Sequence, residues 1–344
     1  MLLSFFNRFS GAADLVRLEN VIAAPWRALN RARAGAGFVL AALALSGCIS
    51  LPQSEALRTV APPGLPAHAE LTGVPFHTQD DFLCGPASLA MVFNAAGVPA
   101  SVESLTPLVY LPGRQGSLQA EMLGATRRSG LVAYTLAPEL EAVLREVAAG
   151  TPVVVLLNLA FSWVPVWHYA VVVGYDLERE RIVLRSGKWQ RDEFRIGFFE
   201  YLWQDGGHWA MLALPQERVP VTAGEQDFAA AVAALERTGR PREARASYRA
   251  LLARWPSNLV GLFGLGNVEY VLGDIAAAAG AFRRATEAHP QSAAAFNNLA
   301  HALAALGWLA DAEAAARTAV ALGGPTQPEA QKTLEAILAR RASR

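Results

Sequence analysis

The sequence predicts an α+β domain followed by an all-α repeat solenoid, and three observations lead there. Within residues 71–215 helical patterns come first and short apolar strands follow, separated by turn signals, an order that suits an antiparallel sheet rather than alternating βαβ units. After Pro215 the chain becomes alanine-rich, and Gly239, Gly273 and Gly307 recur at a spacing of 34 residues. A chain of 344 residues also has room for two separate cores.

Element by element, residues 1–47 hold Arg17, Arg27, Arg31 and Arg33 ahead of an apolar stretch from Gly37 to Leu45. That stretch is too short for a membrane-spanning helix, which takes roughly twenty residues. Residues 48–70 carry Pro52, Pro62, Pro63 and Pro66 without periodicity and read as a tether, so folded structure is expected from Leu71. Next come an extended Val74-Pro75-Phe76, a helix beginning at Cys84, a looser stretch around Val109 to Pro112, and helices over Glu121–Ser129 and Pro138–Ala149. Gly150 stops the last of these. Strands are expected at Pro152–Leu157, His168–Tyr175, Ile182–Ser186 and Trp209–Leu214. Residues 216–222 read as a linker, 223–324 as three repeats, and 325–344 as a capping helix centred on Glu329 to Arg340.

Cys84 is the residue that points to chemistry. Pro86 suits the first turn of a helix, and Ala87 to Ala96 supply apolar spacing, so Cys84 sits at a helix N-terminus. Unpaired N–H groups and the positive helix end are expected to lower the pKa of a thiol placed there. Gln79, five residues upstream, is positioned to donate its amide to an oxyanion beside the sulfur. His168 opens a strand between Trp167 and Tyr169 and suits a general base that takes the thiol proton and returns it to the leaving amine. A metal site from His77, Cys84 and His168 is the other reading of these side chains, but it lacks a familiar ligand spacing. The bland reading of Cys84 is a small buried apolar residue.

Three resemblances follow from these residues. Ala44-Leu45-Ser46-Gly47-Cys48 resembles the lipobox of a bacterial lipoprotein, in which cleavage precedes the cysteine and Cys48 is acylated. Ile49 in place of a retaining aspartate then implies an outer-membrane anchor facing the periplasm, and Cys84 is left without a disulfide partner. Gln79, Cys84-Gly85-Pro86-Ala87, Gly150 with Pro152, and His168 opening Tyr169-Ala170-Val171-Val172-Val173-Gly174-Tyr175 together resemble the papain-like cysteine peptidases, most closely the bacteriocin-processing double-glycine leader peptidases. That likeness spans roughly 71–214. It implies Cys84 as nucleophile, His168 as base, Gln79 as oxyanion donor, and cleavage of peptides, often after a Gly-Gly pair. Relatives carry an aspartate or asparagine where this chain has Ser186-Gly187. Asp176 lies at the far end of the strand and is a poor substitute, Asp192 is nearer the required end, and both read as solvated loop charges. Asp80 and Asp81 read as surface or helix-entry charges, with binding of an N-terminal amine as their other reading. The 34-residue period, with Tyr248, Phe282 and Ala316 in register and Pro256, Pro290 and Gly324 after each second helix, resembles tetratricopeptide repeats, which implies a groove for a protein partner.

Thirty basic and thirty acidic residues, without a basic run after the leader, exclude nucleic acid as an expected partner. The G-x-x-x-x-G-K loop is absent, so ATP binding is not expected, and neither a metal nor a cofactor is implied. The sequence therefore reads as a lipid-anchored cysteine peptidase with a repeat domain that recruits substrate or partner. An acyltransferase or amidase on the same fold, and a weakened binding scaffold marked by Ser186, stay open beside it.

Overall fold

A computed structural model describes residues 50–79 and 82–343, so Cys48, Asp80 and Asp81 lie outside the described residues. The segment expected to be a tether is in part folded. Helix α1 spans Pro52–Thr59 and strand β1 spans His68–Glu70. Proline opens α1 at a position where its missing N–H costs nothing. The first free amides of that helix, Gln53 N and Ser54 N, donate to the buried carboxylate of Glu200 at 3.0 and 2.7 Å. A negative group at a helix N-terminus is favoured by the helix dipole. The sequence reading missed this because the partner lies some 150 positions away.

Helix α2 spans Cys84–Ala95, and its residues from Gly85 to Phe93 are all buried, so it is a central helix rather than an amphipathic surface one. Helix α3, Val102–Val109, precedes and overlaps by one residue the looser stretch expected from Val109; a capping box between Ser101 and Ser104 starts it. A short hairpin of β2 (Tyr110–Leu111) and β3 (Gly116–Ser117) leads to α4, Gln119–Arg128. Then follow β4 (Val132–Thr135), α5 (Leu140–Ala148), β5 (Val153–Asn158), β6 (Trp167–Asp176), β7 (Arg181–Ser186), β8 (Trp189–Arg195), α6 (Ile196–Gln204) and β9 (Ala210–Leu214).

Seven strands form one antiparallel sheet in the order β4-β9-β5-β6-β7-β8, with β1 pairing the far end of β6. Gly174 is required where β1 crosses, because a Cβ there would lie 2.9 Å from the Ala69 carbonyl. Alternation along β6 divides the interior. Tyr169, Val171 and Val173 join a core with α2, α3 and α4, whereas Ala170 and Val172 join a second core on the opposite face with α5 and α6.

That second core runs on into the helical region. Phe228, Val232 and Leu262 belong to it, and Thr222 donates through both N–H and hydroxyl to the buried Glu146 at 2.8 and 2.7 Å. The expected linker is therefore docked, not free. Helices α7 (Glu225–Glu236), α8 (Pro241–Arg254), α9 (Leu259–Val271), α10 (Ile275–Ala288), α11 (Ala293–Ala305), α12 (Leu309–Leu322) and α13 (Gln327–Ala342) complete the chain. Gly239, Gly273 and Gly307 sit between paired helices at φ of 76, 86 and 80°, the left-handed conformation that makes glycine the residue of choice at each turn. No helix among the described residues is long and apolar enough to cross a membrane.

Candidate active site

Three elements come together at one end of the central strands: the start of α2, the start of β6 and the end of β7. Phe82, two residues before Cys84, adopts a left-handed φ of 68°, a costly conformation for an aromatic residue, and this turns the chain into the helix. Cys84 is the first residue of α2, half-buried and free. The following residue must be small, because a Cβ on Gly85 would lie 2.3 Å from the Ser117 hydroxyl. Pro86 has no N–H, so the amides of Cys84 and Gly85 are the orphan donors of this helix end.

His168 lies second in β6, opposite Leu157 of β5. Its Nε2 is 3.0 Å from the Ser186 hydroxyl at the end of β7. Ser186, the residue at the expected orienting position, thus does reach the imidazole. Asp192 pairs with Leu184 on β8, and burial pushes its carboxyl up. Asp176 sits at the other end of β6 opposite His68, where it accepts from the amide of Arg179.

Gln79 plays a different part from a free oxyanion donor. It is buried, and it exchanges two bonds with Gly187: its own N–H donates to the Gly187 carbonyl at 2.9 Å, and its Oε1 accepts from the Gly187 amide at 2.8 Å. The Nε2 donates to both the Ser88 hydroxyl and the Tyr169 carbonyl, each at 3.3 Å. Ser88 is one turn after Cys84, Tyr169 follows His168, and Gly187 follows Ser186. One side chain therefore ties together the helix, the strand and the turn that carry or adjoin the candidate triad. Ser88 was not legible as part of the site in the sequence, and Tyr169 and Gly187 were legible only as neighbours of His168 and Ser186; a serine four residues after the cysteine was the one available signal for Ser88.

The electrostatics overturn one expectation. Burial pushes the Cys84 thiol up, and the backbone groups of Tyr169, Gly85 and Cys84 itself, which favour the thiolate, only partly offset it. Burial also pulls the His168 imidazole down to about 4. Desolvation outweighs the helix end here, so at neutral pH the resting site holds an uncharged thiol and an uncharged imidazole. Among the described residues no hydrogen bond joins the two groups directly; the backbone of Tyr169, the residue after His168, bonds the Cys84 sulfur. Thiol, imidazole, a hydroxyl orienter and two orphan amides make a set suited to acyl transfer.

His77 and His208 are engaged with neighbouring side chains. Asn94 Nδ2 is 3.0 Å from His77 Nε2, and His208 packs edge-on against Trp203. Among the described residues no group of three or more His, Cys, Asp or Glu side chains is placed to hold a metal ion, so His77, Cys84 and His168 do not form a ligand set.

Comparison with known proteins bears on the same segments. The Peptidase_C39 like family matches residues 71–208, and the tetratricopeptide repeat family matches 228–293 and 263–325. Among solved structures, a protein described as a C39-like peptidase from Bacillus anthracis is 19% identical, with 43% of this chain and 97% of that chain covered at a TM-score of 0.37. The type III secretion translocator chaperone SycD of Yersinia enterocolitica is 19% identical over 34% of this chain and 85% of that chain, TM-score 0.32. The first TPR of Spaghetti bound to an HSP90 peptide is 20% identical over 34% of this chain and 93% of that chain, TM-score 0.33. No curated protein matches the chain. With a matching family model over each half of the described body, the chain carries a C39-like peptidase domain followed by tetratricopeptide repeats.

Proposed function

We propose that this protein is a cysteine peptidase in which Cys84 is the nucleophile and His168 the base. The observation that carries the reading is the 3.0 Å contact of His168 Nε2 with Ser186, one residue from the Tyr169 backbone that touches the thiol. Cys84 Sγ attacks a peptide carbonyl as its proton passes to His168, forming the C–S bond. Amides of Cys84 and Gly85 receive the oxyanion. The C–N bond then breaks as His168 returns the proton to the leaving amine, and water hydrolyses the thioester. Because the resting pair is uncharged, proton transfer accompanies attack instead of preceding it.

The repeats recruit the substrate or a partner, as the repeat family commonly does through its concave face. Cleavage next to a Gly-Gly pair is the first specificity to examine. Acylation at Cys48 holds the protein on the periplasmic face of the outer membrane; with α1 starting at Pro52, the folded body then begins within a few residues of the lipid rather than at the end of a long tether. A second reading, a weakened binding module, is favoured by the raised thiol and the serine at the orienting position.

The test is digestion of a proteome-derived peptide pool, with new termini read by mass spectrometry. The peptidase reading predicts new termini that vanish in both Cys84→Ala and His168→Ala; termini that persist in Cys84→Ala contradict it. Adding a competing amine separates hydrolysis from acyl transfer, because a transferase delivers the amine to the new C-terminus.

A further inference from the structure

The connection from β5 to β6 is an ordered hairpin built from uncharged residues, Leu159 to Trp167. Its base is fixed by Asn158, which is buried: Oδ1 accepts from the amides of Ala160 and Val166 at 3.1 and 2.9 Å, and Nδ2 donates to Asp205 at 2.8 Å. Its tip is closed by the Val164 amide donating to the Phe161 carbonyl at 2.9 Å. This much internal bonding holds out large apolar side chains that stay exposed among the described residues. Phe161 is 53% exposed, Trp163 77%, Val164 55% and Trp167 49%. Scattered single apolar residues are ordinary on a surface, but four on one rigid hairpin form a patch of the kind that marks an interaction site.

Two features identify the occupant. The rings of Phe161 and Trp163 are stacked with centroids 4.7 Å apart and planes within 6°, so they present one flat apolar platform instead of splayed anchors. The hairpin also runs directly into His168 through Trp167, and Trp189, 47% exposed, stands across from Ser186 on β8. The patch thus lies at the same end of the sheet as the imidazole, with Trp189 on the strand face that carries Ser186 and Trp167 on the face opposite His168. In the proposed reaction the imidazole delivers a proton to the leaving amine, so whatever abuts it on the side away from the thiol meets the part of the substrate that follows the scissile bond.

Building on the peptidase reading above, we propose that the Phe161–Trp167 hairpin is the leaving-side specificity wall, selecting peptides with an aromatic or large aliphatic residue within the first few positions after the cut. The wall contributes to choice of substrate and not to the reactivity of the thiol.

The peptide-pool digestion tests it with the full chain, comparing wild type with Phe161→Ala, Trp163→Ala and the double variant. Iodoacetamide alkylation of Cys84 in each variant serves as the independent readout of the reacting groups. The wall predicts an enrichment of Phe, Trp, Leu or Met over Gly and Asp after the cut of about tenfold in wild type, the scale of one good apolar contact. It predicts that the double variant loses most of this enrichment, while alkylation stays within about twofold of wild type. An unchanged preference in the double variant overturns the proposal and leaves the peptidase reading standing. A hairpin tryptophan fluorescence that shifts to the blue on phosphatidylcholine–phosphatidylglycerol vesicles, with cleavage preference unaltered by the variants, also overturns it and makes the patch a membrane contact. Loss of all Cys84-dependent cleavage in wild type marks failure of the peptidase reading itself.

Discussion

Replacing Ser186 by aspartate puts back the charge that this chain lacks beside its histidine. The hydroxyl lies 3.0 Å from His168 Nε2, and burial holds that imidazole at about 4. A carboxylate within about 4 Å raises a neighbouring imidazole by roughly 1–3 pKa units, each worth tenfold in the population of the thiolate–imidazolium pair. A more stable thiolate is also a weaker nucleophile, with a sensitivity of about 0.4–0.5, which cancels close to half of that gain on a logarithmic scale. The net expectation is that Cys84 in Ser186→Asp is alkylated by iodoacetamide roughly 3- to 30-fold faster near pH 7 than in wild type. Ser186→Ala, which forfeits one neutral hydrogen bond worth about 1 kcal/mol, should react a few-fold more slowly than wild type. The assay is the second-order rate at Cys84 across pH 5 to 9, followed by peptide mapping, with His168→Ala added to Ser186→Asp as control. A Ser186→Asp rate and pH profile equal to wild type, or a gain that survives loss of His168, refutes the reasoning.

Further expectations concern the scaffold. Because His168 titrates near 4 when folded and near 6.5 when unfolded, the unfolded chain binds the extra proton between those values. Stability therefore falls as pH drops from 6.5 to 4, by up to about 3 kcal/mol from this group; urea midpoints for His168→Gln should fall less steeply over that window, and a parallel fall contradicts the assignment. Glu200→Ala removes both acceptors of the α1 amides and should cost about 1–3 kcal/mol, seen as faster proteolysis within residues 51–66; an unaltered cleavage pattern argues against docking of α1. Gly264→Ala would bring a Cβ within 2.0 Å of the ring of Tyr248, which is buried. It should lower the melting temperature by several degrees, since overpacking at about 1–3 kcal/mol outweighs the gain in helix propensity. A melting temperature at or above wild type would show that α8 and α9 are not packed this closely.

What the sequence disclosed followed the reach of its signals. Local patterns carried far: Pro86 and the alanine run put the helix start at Cys84, and the glycine period placed the turns at Gly239, Gly273 and Gly307, all of which take left-handed backbone. The strand beginning at His168 and the strand ending at Ser186 also lay where apolar runs and turn residues put them. Features that depend on distant partners were not legible. Helix α1 has little intrinsic pattern and is held by Glu200; β8, Trp189–Arg195, is polar and mostly exposed because it is an edge strand, so alternation gave no clue. The direction of the thiol's pKa was misread for a related reason. Sequence gave the helix end, which favours thiolate, but desolvation depends on how many elements close over the sulfur. Gln79 was picked for its amide, yet only the fold revealed that both ends of that amide are engaged at Ser88, Tyr169 and Gly187.

The central claim, that Cys84 and His168 act as one reacting unit, is tested most directly by labelling with an electrophilic peptide probe. Wild type, Cys84→Ala and His168→Ala are compared at neutral pH against the rate of the same probe with a free cysteine peptide. The account predicts modification confined to Cys84, faster for the peptide probe than for a small alkylating agent of equal intrinsic reactivity, and slowed at least tenfold in His168→Ala. Labelling at the free-thiol rate or below, and indifferent to His168, would contradict it and leave a C39-like domain that binds without cutting.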